Sequence, residues 1–341
     1  MIAQAKPLLG PEEEAVALGV IQRGELAVGP ELVALEGALG ELLKLPPAVN
    51  TSCGFAAIHL ALLALPLAPG AEVILPCIST CAALRDAVIA ARGIPVFADV
   101  ERETPNLDPQ SVAEHLTPRT AAILCPHHLG IPARMNELLA LGPPVIEDCA
   151  QSLGASTEQG QPLGSLGKAA VFSYYPTKLI SAPDGGAVVS SDPQLLERAR
   201  NLRYYGGMND DTARLNYKLT NLNAAIALVQ LGKLPGFLAR RRSIWQRLRD
   251  AVGAQVLPFP PGAACFRFGF WSSPEGAPRV LRQMQARSMP CRNEFYFLCS
   301  PEGFPSAQRW QQQFLTIPTY PALLDSQVDE IVQQIREVLA L

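Results

Sequence analysis

The sequence predicts an α/β protein in which a mainly parallel sheet is covered by helices on both faces, followed by a smaller α+β domain. Over the first two-thirds of the 341 residues, short apolar segments alternate with helical patterns of about ten or more residues, an order typical of parallel sheets. From about Leu234 the composition shifts to a basic helix and a Pro/Gly-rich link. We therefore predict a large domain over residues 1–233 and a small C-terminal domain over residues 234–341.

The chain is predicted to begin with two amphipathic helices, PEEEAVALGVIQRG and GPELVALEGALGELLKL. Pro11 and three glutamates favour the start of the first helix. The predicted strands of the sheet are AVNTS, EVILP, IPVFADV, TAAILCP, PPVIEDC, AAVFSYY and GAVVSSD. Helical patterns separate the first five strands. Only a short segment separates the last two, so we expect a hairpin-like or mixed pairing there.

Two more helices, PQLLERARNLRYY and TNLNAAIALVQLGKL, are predicted to end the large domain. The small domain is expected to open with a long basic helix, GFLARRRSIWQRLRDAV, and to continue through the Pro/Gly-rich link QVLPFPPGAA. The segments ACFRFGFW, PRVLRQMQARS and SQVDEIVQQIREVL give the remainder its α+β character.

Composition and charge exclude several classes of protein. Hydrophobic residues make up 48% and charged residues 17% of the chain, which excludes global disorder. The formal net charge of −3 gives no electrostatic footprint for nucleic acid, and the run Arg240-Arg241-Arg242 is interpreted as a solvated helix face. The most apolar stretch, residues 55–69, is shorter than the ~20 residues of a membrane span. We expect a soluble, cytoplasmic protein.

The cysteines and histidines do not predict a metal site. None of the eight cysteines forms a C-x-x-C pair, and most lie in apolar segments, so we interpret them as small buried hydrophobic residues in a reducing compartment. The four histidines include no H-x-x-x-H pair. His127 and His128 are adjacent, and on a strand they would point to opposite faces.

Residues at the carboxyl ends of the predicted strands are the candidates for chemistry, because ligands of open parallel sheets bind at that edge. Asp148 is the last residue of the strand VIED. Its candidate roles are a metal ligand, a base, the partner of a cationic ring nitrogen, or only a helix N-cap. Lys178 lies between SYYPT and a Pro-Asp-Gly-Gly turn. A desolvated lysine there could bond an aldehyde, whereas an isolated lysine is normally a surface group. Gly54 precedes a helix whose N–H groups could bind an anion, or forms an ordinary turn.

One cofactor accounts for all three candidates. Pyridoxal 5'-phosphate needs a lysine for its aldehyde, a carboxylate for its pyridinium nitrogen and a cradle for its phosphate. The carboxylate keeps the ring protonated, so that the ring can accept the electrons released when a Cα–H bond breaks. The sequence therefore predicts pyridoxal 5'-phosphate as the cofactor.

Ordered motifs along nearly the whole chain strengthen this prediction. They include HHLGIPARM, VIEDCAQSLGA, SYYPTKLISAPDGGAV, LNYKLTNLNAAIALVQLGKL and TIPTYPALLDSQVDEIVQQI. In this order they resemble motifs of the DegT/DnrJ/StrS family of pyridoxal-phosphate-dependent sugar aminotransferases. The resemblance implies an aspartate-aminotransferase-like large domain (fold type I) with a mostly parallel seven-stranded sheet, and a small α+β C-terminal domain.

The resemblance also implies roles for individual residues. Lys178 would form the Schiff base with the cofactor and then move the proton at Cα. Asp148 would pair with the pyridine nitrogen, and Gln151 would lie near the ring hydroxyl.

The phosphate site implied by the resemblance draws on two subunits. Ser173 and the backbone N–H groups of Gly54 and Phe55 would hold the phosphate. In the family an asparagine of the neighbouring subunit completes this site, and Asn216 occupies that position in the sequence. The resemblance therefore implies a homodimer with shared active sites.

The chain departs from the family pattern at several positions. Phe55 stands where a hydroxyl-bearing residue is usual, and Thr80 where an aromatic residue stacks on the cofactor ring. Lys218 replaces the usual arginine and keeps its charge but not its bidentate fork. The changes at Phe55 and Thr80 predict weaker cofactor binding, unless Tyr174, Tyr175 or His127 compensates.

We expect an aminotransferase that moves an amino group from a glutamate-type donor to a keto-sugar, with a nucleotide-linked keto-sugar favoured, as in amino-sugar, surface-polysaccharide or secondary-metabolite biosynthesis. A related possibility is a sugar dehydratase, but that branch replaces the lysine by histidine, and Lys178 argues against it. A different class is a catalytically degenerate homologue that binds a ligand or has a regulatory role, which the changes at Phe55 and Thr80 motivate.

Overall fold

The computed structural model describes residues 2–206 and 210–339, and its strands confirm the alternating pattern. The strands are β1 (Val49–Thr51), β2 (Glu72–Pro76), β3 (Ile78–Ser79), β4 (Ile94–Ala98), β5 (Thr120–Pro126), β6 (Val145–Asp148), β7 (Ala169–Ser173), β8 (Gly186–Val189), β9 (Arg267–Trp271), β10 (Tyr296–Phe297) and β11 (Phe314–Pro318). Seven of them form one sheet in the order β1-β8-β7-β6-β5-β2-β4. All seven sheet strands were predicted from the sequence.

The pairing within this sheet is mainly parallel. Strands β4, β2, β5, β6 and β7 run parallel to one another, whereas β8 is antiparallel to both β7 and β1. The predicted hairpin-like pairing of AAVFSYY with GAVVSSD is therefore confirmed. Because β5, β6 and β7 point the same way, their carboxyl ends meet at one edge of the sheet.

Helices cover both faces of the sheet. They are α1 (Pro11–Arg23), α2 (Pro30–Leu43), α3 (Gly54–Ala64), α4 (Ala83–Ala90), α5 (Pro109–Glu114), α6 (Met135–Ala140), α7 (Pro193–Arg203), α8 (Asn221–Val252), α9 (Gly276–Ala286), α10 (Pro305–Gln313) and α11 (Asp325–Leu339). Alternate residues of β7 enter different cores. Phe172 packs in the core that includes residues of α2 and α8, and Val171 packs in the core that includes residues of α3 and α7.

One long helix replaces the two that the sequence predicted on either side of Leu234. Helix α8 runs without interruption from Asn221 to Val252 and contains Pro235. It packs against α1, α2 and α11 as a core helix does, although its length and composition would also suit a membrane span. The helix crosses the predicted domain boundary, so residues 1–233 and 234–341 share it. That boundary stays a prediction.

The basic run on α8 is not a uniformly solvated face, which corrects the sequence interpretation. Arg241 is buried, and its Nη1 atom donates to the backbone oxygen of Phe266 at 3.1 Å. Arg240 instead forms an ion pair with Asp325 of α11 at 2.9 Å. The run therefore attaches α8 to the C-terminal part of the chain.

The C-terminal part contains short elements that the sequence did not predict. Strands β9 and β11 form an antiparallel pair that packs in one core with residues of α8, α9 and α11. Strand β10 pairs with β3, which directly follows β2. The small domain is thereby attached to the loop that leaves the carboxyl end of β2.

A buried carboxylate connects the ends of two central strands. Glu147 of β6 is fully buried and accepts hydrogen bonds from the backbone N–H groups of Gly164, Leu166 and Gly167 at 2.7–2.9 Å. His127, directly after β5, accepts at Nδ1 from Ala133 N, so its Nε2 donates to Glu147 at 3.0 Å.

The hydrogen bonds of Glu147 keep it ionised. Burial alone acts to raise the pKa of Glu147, but the bonds from His127 and from the backbone outweigh it and hold that pKa below its usual value. Cys149 also lies close to this pair. The geometry is that of a satisfied structural carboxylate.

Glu147→Ala is expected to destabilise the fold strongly. The substitution leaves three backbone N–H groups without their acceptor, and each unsatisfied buried donor costs about 1–3 kcal/mol. We expect the free energy of unfolding to fall by about 3 kcal/mol or more, measured by urea denaturation. The matched control is Glu158→Ala at an exposed position. Equal unfolding midpoints for the two variants would contradict the role of Glu147.

Candidate active site

A cavity of about 410 Å³ opens at the carboxyl edge of the sheet. It brings together every predicted site residue except Asn216: Gly54, Phe55, Thr80, Asp148, Gln151, Ser173 and Lys178. The N-terminal segment at Gln4 and Ala5 and the small domain at Phe266 and Arg267 complete its lining. Polar groups from several strand ends and from the loops that follow them therefore line the same cavity.

Asp148 lies half-buried at the floor of the cavity, as the last residue of β6. Its Oδ1 atom accepts a hydrogen bond from the N–H group of Ala150 at 3.0 Å. Burial raises the pKa of Asp148 above its usual value, although the Ala150 N–H group and the charge of Lys178 partly oppose the rise. A cationic group placed against this carboxylate would stabilise its charged form.

Lys178 lies in the segment between β7 and β8, where tight turns fix the backbone. Its N–H group donates to the Tyr175 oxygen at 2.8 Å, and its side chain is half-buried. The Nζ atom lies 5.9 Å from the ring centroid of Phe266. Lys178 and Asp148 therefore face one cavity, as the sequence predicted.

The start of α3 and the end of β7 form a cradle for an anion. The first backbone hydrogen bond of α3 runs from the N–H group of Ala57 to the oxygen of Cys53. The N–H groups of Gly54 and Phe55 come before it and therefore have no acceptor within the helix. A Cβ atom on Gly54 would lie 2.8 Å from the Cβ atom of Ser173, so only glycine permits this close approach. The exposed N–H groups, the helix dipole and the Ser173 hydroxyl suit a phosphate.

Gln151 and Thr80 form a hydrogen-bonded pair in the cavity wall. The Nε2 atom of Gln151 donates to Thr80 Oγ1 at 2.8 Å, and its Oε1 atom accepts from the N–H group of Leu129 at 2.7 Å. Thr80 thus fixes Gln151 with a hydroxyl at the position where the resemblance implied a stacking ring.

Only one of the three aromatic residues considered as replacements lines the cavity. Tyr175 does so and is about half exposed. Tyr174 is fully buried and donates to Asn50 at 3.3 Å, and His127 is engaged with Glu147. Tyr174 and His127 are therefore wrong as candidates. Phe266 contributes a ring to the cavity that sequence reasoning missed.

Asn216 lies away from this cavity. It forms an isolated bridge with Tyr204, and its Oδ1 atom accepts from Lys218 Nζ at 2.7 Å. The Lys218 Nζ atom also lies 4.3 Å from the ring centroid of Tyr204. Asn216 contributes nothing to the active site of its own subunit in this geometry.

The small domain contributes charged residues that the sequence analysis did not single out. Arg267, Arg292 and Glu294 line the cavity. Arg267 starts β9, and Arg292 and Glu294 lie in the segment between α9 and β10. No motif signalled these residues, because they come from separate segments that only the folded small domain brings together.

The residues of the cavity fit pyridoxal 5'-phosphate. A lysine and a half-buried carboxylate face the same space, and Ser173 and the start of α3, with its N–H groups, line it as well. These are the three groups that the cofactor requires.

Comparisons with known proteins agree with this fit. The sequence model described as the DegT/DnrJ/EryC1/StrS aminotransferase family matches residues 7–336. The aminotransferase TlmJ of Streptoalloteichus hindustanus is 28% identical, with a TM-score of 0.93 over 100% of this chain and 99% of that chain. DesV of S. venezuelae is 30% identical, with a TM-score of 0.88 over 96% of this chain and 94% of that chain. Helicobacter pylori PseC shares the fold at 20% identity, with a TM-score of 0.91 over 99% of each chain.

Asp148→Asn is expected to stabilise the cofactor-free protein at neutral pH. The folded-state pKa of Asp148 is raised, so its ionisation opposes folding once the pH exceeds the usual carboxyl range, and asparagine cannot ionise. The melting temperature of the variant should exceed that of the wild type near neutral pH, and the two should converge in acid. Asp250→Asn, at an exposed position, is the control.

The cofactor should stabilise the wild type more than the Asp148→Asn variant. Addition of pyridoxal phosphate should raise the melting temperature of the wild type more than that of Asp148→Asn, because only the carboxylate can pair with a cationic ring nitrogen. Equal gains for both proteins would contradict the assignment of Asp148.

Proposed function

Because the chain belongs to the DegT/DnrJ/EryC1/StrS aminotransferase family, we propose that it transfers an amino group from a glutamate-type donor to a nucleotide-linked keto-sugar. The activity class and the cofactor follow from the family: the protein is a pyridoxal-phosphate-dependent aminotransferase. The donor, the acceptor and the roles of individual residues are the proposal. Amino-sugar formation for a surface polysaccharide or a secondary metabolite, in the cytoplasm, is the setting we propose.

The observation that carries the proposal is the convergence of Lys178, Asp148 and the Ser173 cradle on one cavity. When bound, pyridoxal phosphate supplies a ring that accepts the electrons released as a Cα–H bond breaks. Lys178 would hold the cofactor covalently and, once displaced by the donor, would move a proton at its Nζ atom. Asp148 would keep a proton on the ring nitrogen.

The other cavity residues would position the cofactor. Ser173 and the N–H groups of Gly54 and Phe55 would bind its phosphate at the start of α3. Gln151, fixed by Leu129 and Thr80, would stand beside the ring hydroxyl. The side chain of Phe55 adds no hydroxyl to the phosphate site, so we propose weaker cofactor binding than is usual in the family.

A second candidate function is a catalytically degenerate, ligand-binding or regulatory homologue. The observations that favour it are Phe55 and Thr80, which replace a phosphate contact and a stacking ring. Lys178 and Asp148 are both in place, and this favours the aminotransferase. Lys178 likewise disfavours a sugar dehydratase, which would carry histidine there.

We further propose a homodimer in which each subunit completes the phosphate site of the other. Helices α1 and α2 and the segment between them expose apolar side chains: Leu18, Ile21, Leu26, Val28 and Val33. This apolar surface lies near Asn216, because Tyr204, which bridges to Asn216, lines a groove with Val28 and Val33. A two-fold axis through the surface would cover it with a second copy and carry the partner subunit's Asn216 to the cavity.

Lys178→Ala should abolish the cofactor adduct that borohydride traps in the wild type. The purified wild type should show a visible absorption band that changes on addition of L-glutamate, and the variant should show neither the band nor the change. Mass spectrometry of the reduced protein should place the adduct on Lys178. Lys168→Ala, which removes a half-exposed lysine paired with Asp192, is the control. An adduct on Lys168 or Lys218 would overturn the assignment.

Mixing inactive Asn216→Ala and Lys178→Ala proteins should restore part of the activity. In a mixed dimer with shared sites, one site carries both intact residues, so about half of the heterodimeric sites are functional. The exchange of subunits is checked by native mass spectrometry of tagged proteins. Heterodimers that form without any activity would contradict the shared site.

A further inference from the structure

The small-domain wall of the cavity contains two guanidinium groups that share one carboxylate. Arg292 binds Glu294 with both ends of its fork, Nε to Oε2 at 2.8 Å and Nη2 to Oε1 at 2.6 Å. The Nε atom of Arg267 lies 3.4 Å from the same Oε2 atom. We call these three residues the arginine pair and its carboxylate. Together they carry one uncompensated positive charge.

Burial makes this excess charge significant. The side chains of Arg267 and Glu294 are 5% and 2% exposed, whereas that of Arg292 is 43% exposed. Arg267 Nη1 donates to the backbone oxygen of Gln4 at 3.0 Å, but its Nε atom is buried without a hydrogen-bond partner. A buried guanidinium with unused donors is costly, so the wall is suited to a further anion.

A second buried guanidinium increases the positive potential. Arg241 donates from Nη1 to Phe266 O and weakly to Thr319, and its Nε atom has no hydrogen-bond partner. Within the part of the chain that the structure describes, no carboxylate pairs with Arg241. Burial, together with the nearby charge of Arg267, lowers the pKa of Arg241 to about 9, so it stays charged at neutral pH.

One aromatic ring separates these cations from the reacting lysine. The ring centroid of Phe266 lies 5.9 Å from Lys178 Nζ, 5.8 Å from Arg267 Cζ and 5.5 Å from Arg241 Cζ. Arg267 therefore lies on the same aromatic ring as Lys178, and Arg292 lines the same cavity.

We propose that Arg267 and Arg292 bind a carboxylate of the amino donor, with which the carboxylate of Glu294 competes for the two guanidinium groups. The proposal rests on the aminotransferase function and names the subsite for its donor. A carboxylate accepts paired N–H groups from guanidinium, as Glu294 already does with Arg292. One donor carboxylate would bring the formal charge of the arginine pair and its carboxylate to zero.

The diphosphate of a nucleotide-linked acceptor is the other possible source of an anion. The donor is favoured because Arg267 is buried and only the ring of Phe266 lies between it and Lys178. The carboxylates of an amino acid lie within a few bonds of the reacting nitrogen. The diphosphate of a nucleotide-sugar must lead to a bulky nucleoside, and the side chain of Arg267, at 5% exposure, leaves little surface beside it for such a group.

The test uses glutarate, a dicarboxylate that has no amino group and therefore binds without reacting. Isothermal titration calorimetry of the holoenzyme measures its dissociation constant. Arg267→Gln and Arg292→Gln should each weaken binding about tenfold or more, as expected for lost hydrogen bonds to a charged group. Glu294→Gln should tighten binding, because it removes the competing carboxylate. Arg249→Gln, at an exposed position on α8, should change nothing.

Several outcomes would overturn the donor subsite. They are undetectable glutarate binding by the wild-type holoenzyme, unchanged binding in both arginine variants, or weaker binding in Glu294→Gln. If Arg267→Gln does not fold, the Arg292→Gln variant, at the more exposed position, decides the result. The Arg267→Lys variant then shows whether a positive charge alone is sufficient for glutarate binding.

A parallel titration with uridine diphosphate separates the two anion sources. Loss of diphosphate binding with retained glutarate binding in Arg267→Gln would assign the arginine pair to the acceptor and overturn the proposal. Glutarate binding requires no amino transfer, so it is independent of the proposed function. If L-glutamate leaves the absorption spectrum of the wild type unchanged, the aminotransferase proposal fails whatever the calorimetry gives.

Discussion

The geometry of the active site depends on the buried carboxylate of Glu147. Three backbone N–H groups of the 164–167 loop and the imidazole of His127 donate to it, which fixes the ends of β5 and β6 relative to each other. An ionised group in this position is tolerated only because its hydrogen bonds replace those of water. The next residue, Asp148, is thereby held at the cavity floor. In the proposed role of Asp148, this rigid floor would let its carboxylate face a ring nitrogen reproducibly.

Strand direction supplies the remaining groups at the same edge. Because β6 and β7 are parallel, they end at the same edge of the sheet, at Asp148 and Ser173, and the antiparallel return of β8 places the Lys178 segment at that edge. Glycine then permits contact at two points. A Cβ atom on Gly54 would strike Ser173, and one on Gly186 would lie 2.7 Å from the backbone oxygen of Cys53. Side chains at either position would push α3 away and open the phosphate cradle.

The sequence predicted the sheet and the cavity floor but not the small-domain wall. The strands were recognisable because buried parallel strands are continuous apolar runs between helices, and Lys178 and Asp148 lie in local motifs next to those strands. Arg267 and Glu294 meet only through tertiary packing, and two-residue strands such as β10 leave no periodicity to detect. The prediction of a solvated arginine run was wrong at Arg241 for a related reason. The sequence shows three arginines in a row, but only packing decides which one is buried.

The two unusual residues of the cavity differ in their consequences. Thr80 provides a hydroxyl that fixes Gln151, so an aromatic ring at this position would remove that hydrogen bond while it added a stacking surface. Phe55 brings a ring to the cavity wall and adds no hydroxyl group, so in the proposed site only Ser173 and the backbone would bind the phosphate. In the proposed binding mode, the cofactor end of the cavity would rely on backbone N–H groups and on the amide of Gln151. The guanidinium groups of the cavity wall, by contrast, are on the small domain. Under the two proposals, the groups that hold the cofactor would differ from those that must release a substrate, so the cofactor could stay in place while two different substrates alternate in one cavity.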